Sequence, residues 1–124
     1  MKKRWVFSFI ATLLFGCART PTAELVGQLK DKESAQRIRA IKELEQRDRD
    51  ASVVVPALTD CLRDTDPFVR RDAAQALGRF GQDGKTAAPA LVVALRDKTP
   101  KVRAAAAEAL KNVDPESAAQ AGLH

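Results

Sequence analysis

The sequence predicts an all-α fold, a short α-solenoid of about three helical hairpins, and three observations carry that expectation. The chain repeats itself without gaps at a fixed offset of 33 residues. Inside each repeat two apolar patterns recur with helical spacing. Runs with the two-residue alternation of strands are absent. At 124 residues, 45% hydrophobic and 30% charged, the chain has the means for one small core and no more.

The first sixteen residues stand apart from that pattern. Lys2, Lys3 and Arg4 precede an apolar run from Trp5 to Phe15, which is about half the ~20 residues that a spanning helix needs. A buried core helix is the plainer reading of such a run, but three leading cations favour an export signal over 1–16. The run ends in Leu14-Phe15-Gly16-Cys17, which resembles the lipobox of bacterial lipoproteins, with Phe15 larger than the residue usual there. The resemblance implies that Cys17 carries a thioether-linked diacylglycerol and becomes the mature N-terminus. An ordinary cleaved signal with a chance cysteine is the alternative. Two or three acyl chains, at ~0.8 kcal/mol per buried CH₂, anchor a protein firmly where one does not. Residues 17–22 then form the lipidated cysteine and its tether, and the repeat domain is expected over 23–124. Alanine at position 18 resembles an outer-membrane sorting signal, so the expected address is the bacterial cell envelope, at the outer membrane if there is one. Removing the three N-terminal cations lowers the formal charge from +5 to +2.

The units are expected at about 23–54, 55–87 and 88–113, with a tail over 114–124. The match is fullest between the second and third. Pro56, Leu58, Leu62 and Asp64 recur as Pro89, Leu91, Leu95 and Asp97. Pro67, Val69-Arg70, Ala73-Ala74 and Ala76-Leu77 recur as Pro100, Val102-Arg103, Ala106-Ala107 and Ala109-Leu110. The first unit keeps Leu25, Leu29, Asp31, Arg37, Ala40 and Leu44, but places Gln36, Glu43 and Arg47 where the second has Val69, Ala76 and Phe80. Such polar substitutions suit a terminal unit with no upstream neighbour. In the second unit, Val55, Leu58, Cys61 and Leu62 mark one helix, and Val69, Ala73, Ala76, Leu77 and Phe80 mark the next. Asp66-Pro67 and Thr99-Pro100 read as N-caps followed by a first-turn proline. Gly81 and Gly84 are expected to end the second helix of the middle unit. The third unit keeps a full apolar set, and only a tail with a short helical stub follows to cover it.

The spacing L-x-x-x-L-x-D-x-x-P-x-V-R-x-x-A-A-x-A-L at 58–77 and 91–110 resembles HEAT repeats, and most closely the short HEAT-like form of bilin-lyase-type proteins. That resemblance covers 24–113. It implies a right-handed solenoid whose second helices line the concave face. It also implies a ladder between units made by Asp31, Asp64 and Asp97 with Arg37, Arg70 and Arg103. Alanine-rich helix faces let neighbouring units approach closely, so they need no functional explanation.

Chemistry is thinly represented. One histidine, His124, excludes most metal sites and every histidine-dependent catalytic arrangement. There is no glycine-rich phosphate loop and no His-Glu pair of the kind in HEAT-type di-iron hydroxylases. Cys61 lies between Leu58 and Leu62 and reads as a buried thiol. Solvent positions on the second helices are expected at Ile38, Arg39 and Lys42, at Arg71, Asp72 and Gln75, and at Ala104, Ala105 and Glu108. Their mixed signs, and the absence of stacking aromatics, speak against nucleic acid.

The expectation is therefore a non-enzymatic, lipid-anchored protein-interaction module of the cell envelope, an adaptor or scaffold with no cofactor and no metal. The alternative is an accessory factor for cofactor or enzyme assembly, related to the HEAT-like bilin lyases. An envelope protein, or a second copy, is expected to dock on the C-terminal unit at Ala105, Glu108, Leu110 and Val113.

Overall fold

The structure, a computed structural model, describes residues 19–124. The expected export signal over 1–16, the lipidation site Cys17 and Ala18 lie outside the described residues. Seven α-helices follow in order: α1 (Thr22–Gln28), α2 (Ser34–Leu44), α3 (Ala51–Cys61), α4 (Pro67–Arg79), α5 (Ala88–Ala94), α6 (Pro100–Val113) and α7 (Pro115–Gln120). Two 3₁₀ segments, Asp48–Asp50 and Gly81–Ala87, lead into α3 and α5. The first six helices form three hairpins, and the described residues make a short all-α solenoid.

The second helix of each hairpin opens at Ser34, Pro67 or Pro100, so the 33-residue period of the sequence is the period of the structure. Each opening is prepared by the aspartate of the preceding loop. Asp31, Asp64 and Asp97 each accept, through Oδ1, the backbone N–H two residues on, at 2.9 Å. Asp66 adds a cap on α4 by accepting the Phe68 N–H at 2.8 Å. Thr99 does not repeat that role: its side chain makes no cap bond, and Asp97 organises the turn instead.

Two other features differ from expectation, the start of α3 and the role of Gly84, while Gly81 ends its helix as expected. Helix α3 starts at Ala51, inside the stretch expected to belong to the first unit, and Pro56 sits in its interior. Burying Val54 and Val55 rewards the extra turn, and solvent reaches the exposed Pro56 position, where the missing N–H costs least. Helix α4 ends at Arg79, and Gly81 with φ of 54° makes the reversal. Gly84 serves a different purpose, because a Cβ there would stand 3.0 Å from the Leu77 carbonyl oxygen and 3.0 Å from Val113 Cγ1. It lets the 3₁₀ connection pass against the core.

Helix α4 is the centre of the molecule, packed against α2, α3 and α6. It buries Val69, Ala73, Ala74, Ala76 and Leu77 completely. At the N-terminal end Gln36 and Glu43 are exposed and Arg47 is half-buried, as befits a polar cap. At the C-terminal end α7 folds against α6 and buries Ala118, while Leu123 packs half-buried against the core. Leu110 and Val113 are buried, at 0% and 1% exposure, and Val113 lies against the Gly84 connection. No described helix is long and apolar enough to cross a membrane.

Candidate functional site: the ladder and the second-helix groove

The loop aspartates do more than shape turns. Arg37, on α2, reaches into the next unit and holds Asp64 through Nε and Nη2, both at 2.9 Å. Arg70, on α4, holds Asp97 in the same way, at 2.9 and 3.2 Å. The third guanidinium nitrogen points back into its own unit: Arg37 Nη1 donates to the carbonyls of Asp31 and Lys32, and Arg70 Nη1 to that of Asp64 at 2.7 Å. One arginine therefore ties two loops together, using the fork geometry that suits a carboxylate. The ladder stops at both ends. Among the described residues the Asp31 carboxylate accepts only the N–H of Glu33, and Arg103 donates to the Asp97 carbonyl at 2.8 Å without a carboxylate within 4.0 Å.

Between α4 and α6 the second helices leave a groove of about 490 Å³. Its floor is Gly78, Ala104, Ala105 and Ala109, and its walls carry Arg71, Gln75, Lys101, Glu108 and Asn112. The floor is close-packed: a Cβ on Gly78 would stand 3.1 Å from Ala109 Cα. Small floor residues and flexible polar walls suit a polypeptide surface, since amide and charged side chains can pair with backbone and side-chain groups alike. Ala105 and Glu108, two of the expected partner residues, border this groove. Leu110 and Val113 do not: both are buried, at the core positions that Leu77 and Phe80 hold in the middle unit, and Val113 faces the Gly84 connection; the expectation that they offer a partner surface is corrected accordingly.

Two acidic residues on the second helices escaped the sequence reading. Asp72, expected at the surface, is only 3% exposed. Arg71 holds its Oδ1 through Nε at 2.9 Å, and the Lys42 ammonium of the preceding unit lies 4.0 Å from Oδ2. Glu45 is buried at 8% exposure and faces Arg79 at 3.7 Å. Arg71 also lies 5.4 Å from the centroid of the exposed Phe68 ring, so it is held on two sides rather than free in solvent. One signal was available: Asp72 falls three residues after Val69 and four before Ala76, on the apolar stripe. The repeat offset gave no help, because the matching positions are Arg39 and Ala105.

The charged groups behave as their surroundings dictate. Burial pushes the Asp97 carboxyl up, but Arg70 and the Thr99 N–H outweigh it and leave it below its ordinary value. The Phe68 N–H holds Asp66 low in the same sense. Burial, reinforced by Asp64 and Asp60, pushes the Cys61 thiol up to about 11, which keeps it protonated and unreactive at neutral pH. Among the described residues no three His, Cys, Asp or Glu side chains gather as a metal site would require.

No curated protein matches the chain. Among solved structures it is similar to a chain in the complex of CpcE and CpcF of phycocyanin lyase from Nostoc sp. PCC7120, with 28% identity and a TM-score of 0.74. The likeness covers 84% of this chain and 41% of that one, so the present chain spans about two-fifths of its relative's length. Residues 22–111 match the family of HEAT repeats, the span that holds all three hairpins and both closed rungs of the ladder, and the chain belongs to that family.

Proposed function

We propose that this chain is a non-enzymatic HEAT module that acts as an accessory factor in the assembly of another protein, holding its partner across the groove between α4 and α6. The observation that carries the reading is the likeness, over 84% of the chain, to one member of a two-protein lyase complex. The groove's chemistry agrees with it. Gln75, Glu108 and Asn112 offer hydrogen bonds to a partner, and none of them is paired with a nucleophile or a histidine that could support a reaction. Photo-crosslinkers placed at Gln75, Glu108 and Asn112 in living cells test this. One defined protein adduct shared by the three positions, and absent when the crosslinker sits at the exposed Val53 of α3, supports the reading. A cofactor-bearing protein or a maturation enzyme in that adduct supports assembly as the task. Adducts only from Val53, or none, overturn it.

A second reading differs in address and task, and Leu14-Phe15-Gly16-Cys17 favours it: a lipid-anchored adaptor of the bacterial envelope, held by acylated Cys17. Mass spectrometry of the native protein decides the address. An acylated Cys17 at the mature N-terminus supports it, and an unmodified Cys17 overturns it. A structural envelope protein in the groove adduct would favour the adaptor over the assembly factor.

A further inference from the structure

The polar cap of the first unit has a charge distribution that capping alone does not require. Helix α2 presents Arg39, Lys42 and Glu43 to solvent, at positions i, i+3 and i+4, and these share one face. Arg47, just beyond the helix, donates through Nη2 to the Thr20 carbonyl at 2.9 Å. That bond, with the Thr22 hydroxyl donating to Asp50, fixes the incoming chain across the end of α2 and brings Arg19 alongside. The result is a groove of about 490 Å³ lined by Arg19, Thr20, Arg39, Lys42, Glu43, Gln46 and Arg47.

Four cations and a single carboxylate line that space. Lys42 has a distant partner in Asp72, at 4.0 Å. Arg19, Arg39 and Arg47 have no carboxylate within 4.0 Å among the described residues, whereas the ladder arginines Arg37 and Arg70 each hold one. Three such guanidinium groups around one groove raise its potential, and an anion that accepts from several forks at once relieves it. A phosphate group suits this best, because its oxygens match guanidinium geometry from more than one side. Arg19 follows Cys17 by two residues, a reach of at most ~7 Å. If Cys17 is acylated, the groove lies at the depth of phospholipid headgroups.

We propose that Arg19, Arg39 and Arg47, with Lys42, form a phosphate-binding groove at the N-terminal end of the solenoid, whose ligand is the headgroup phosphate of an anionic phospholipid. The phosphate chemistry stands on the groove itself; the lipid source rests on the envelope address proposed above. The full chain, embedded in nanodiscs, is observed by the arginine Nε–H resonances. Three titrations are compared: phosphatidylglycerol in a phosphatidylcholine disc, inorganic phosphate with phosphatidylcholine alone, and chloride at matched ionic strength. Shifts of Arg19, Arg39 and Arg47 with phosphatidylglycerol are expected in the wild type, and in the Arg19→Gln/Arg39→Gln variant the apparent affinity read from the remaining Arg47 should weaken about tenfold. Both of those side chains are exposed, so the variant should keep its helical circular dichroism. A response to inorganic phosphate but not to phosphatidylglycerol keeps the phosphate site and overturns the lipid source. Equal response to chloride, or shifts confined to Arg63 and Arg96, which are exposed and lie outside this groove, overturns the site. An unmodified Cys17 in the native protein removes the envelope address but leaves the phosphate titration standing, so the two failures are distinguishable.

Discussion

Arg70 and Asp97 are 27 residues apart and joined by two hydrogen bonds, at 2.9 and 3.2 Å, with 8% and 11% of their side chains exposed. Arg103 occupies the equivalent place one unit later, exposed and with no rung to close. Arg70→Ala should therefore cost on the order of 1–3 kcal/mol, since it strands a partly buried carboxylate as well as losing a charge-assisted bond. Arg103→Ala should stay within ~0.5 kcal/mol. Urea melts of the two variants check this, and equal small losses would show that the rungs add nothing to stability. Arg71 would not serve as the control, because it holds Asp72.

The helices and the ladder were legible because both repeat. A 33-residue offset brings Arg37 and Arg70, and Asp64 and Asp97, into equivalent places, and period alone then marks them. What occurs once was not legible. The early start of α3 at Ala51 and the burial of a carboxylate at Asp72 each occur in one unit alone. Pro56 and its counterpart Pro89 differ in the same way: Pro89 lies in the first turn of α5, whereas Pro56 lies inside α3. Of the candidate partner residues, Ala105 and Glu108 border the groove, while Leu110 and Val113 are buried because they follow the repeat, at the core positions of Leu77 and Phe80.

The ladder should show itself in acid. Asp97 sits below its ordinary value of 3.8 in the folded state, so the unfolded chain takes up its proton first as pH falls. Its contribution is present in full above that ordinary value and is lost as pH drops through the lower, folded one. Asp66 and Asp114 are shifted the same way by local bonds and lend the whole chain an acid dependence. The difference between wild type and Arg70→Gln isolates the rung. That difference in urea midpoint should be largest near about pH 6 and shrink toward about pH 3. A difference independent of pH would place the Arg70 effect in packing rather than in the ion pair.

Two glycines should respond in opposite directions to the same substitution. Gly78 lies where α4 and α6 approach, and an added methyl would meet Ala109 Cα at 3.1 Å and its Cβ at 3.3 Å. Both neighbours belong to packed helix, so Gly78→Ala should destabilise by roughly 1–3 kcal/mol through overpacking. Gly27, inside α1, has nothing within 4 Å of an added Cβ. Gly27→Ala should stabilise by about 0.5–1 kcal/mol, because alanine loses less backbone entropy in a helix. Thermal melts of the two variants should move to opposite sides of wild type. A rise for both would show that α4 and α6 have room to separate.

Asp72 offers the sharpest separation of packing from charge. It lies on the buried stripe of α4 at 3% exposure, and its only side-chain partners among the described residues are Arg71 of its own helix and Lys42 of α2. Asp72→Ala removes the acceptor but leaves two cations facing each other across the junction of the first two units. Asp72→Asn keeps the shape and one acceptor oxygen while removing the charge. If the carboxylate serves to neutralise those cations, both variants should lose stability, the alanine by on the order of 1–3 kcal/mol. Adding Lys42→Met should then recover part of the loss in Asp72→Ala, because the stranded ammonium is gone. A double variant no better than the single one would show that Arg71 alone accounts for Asp72, and that the α2–α4 junction is held by its apolar contacts and the Arg37 rung.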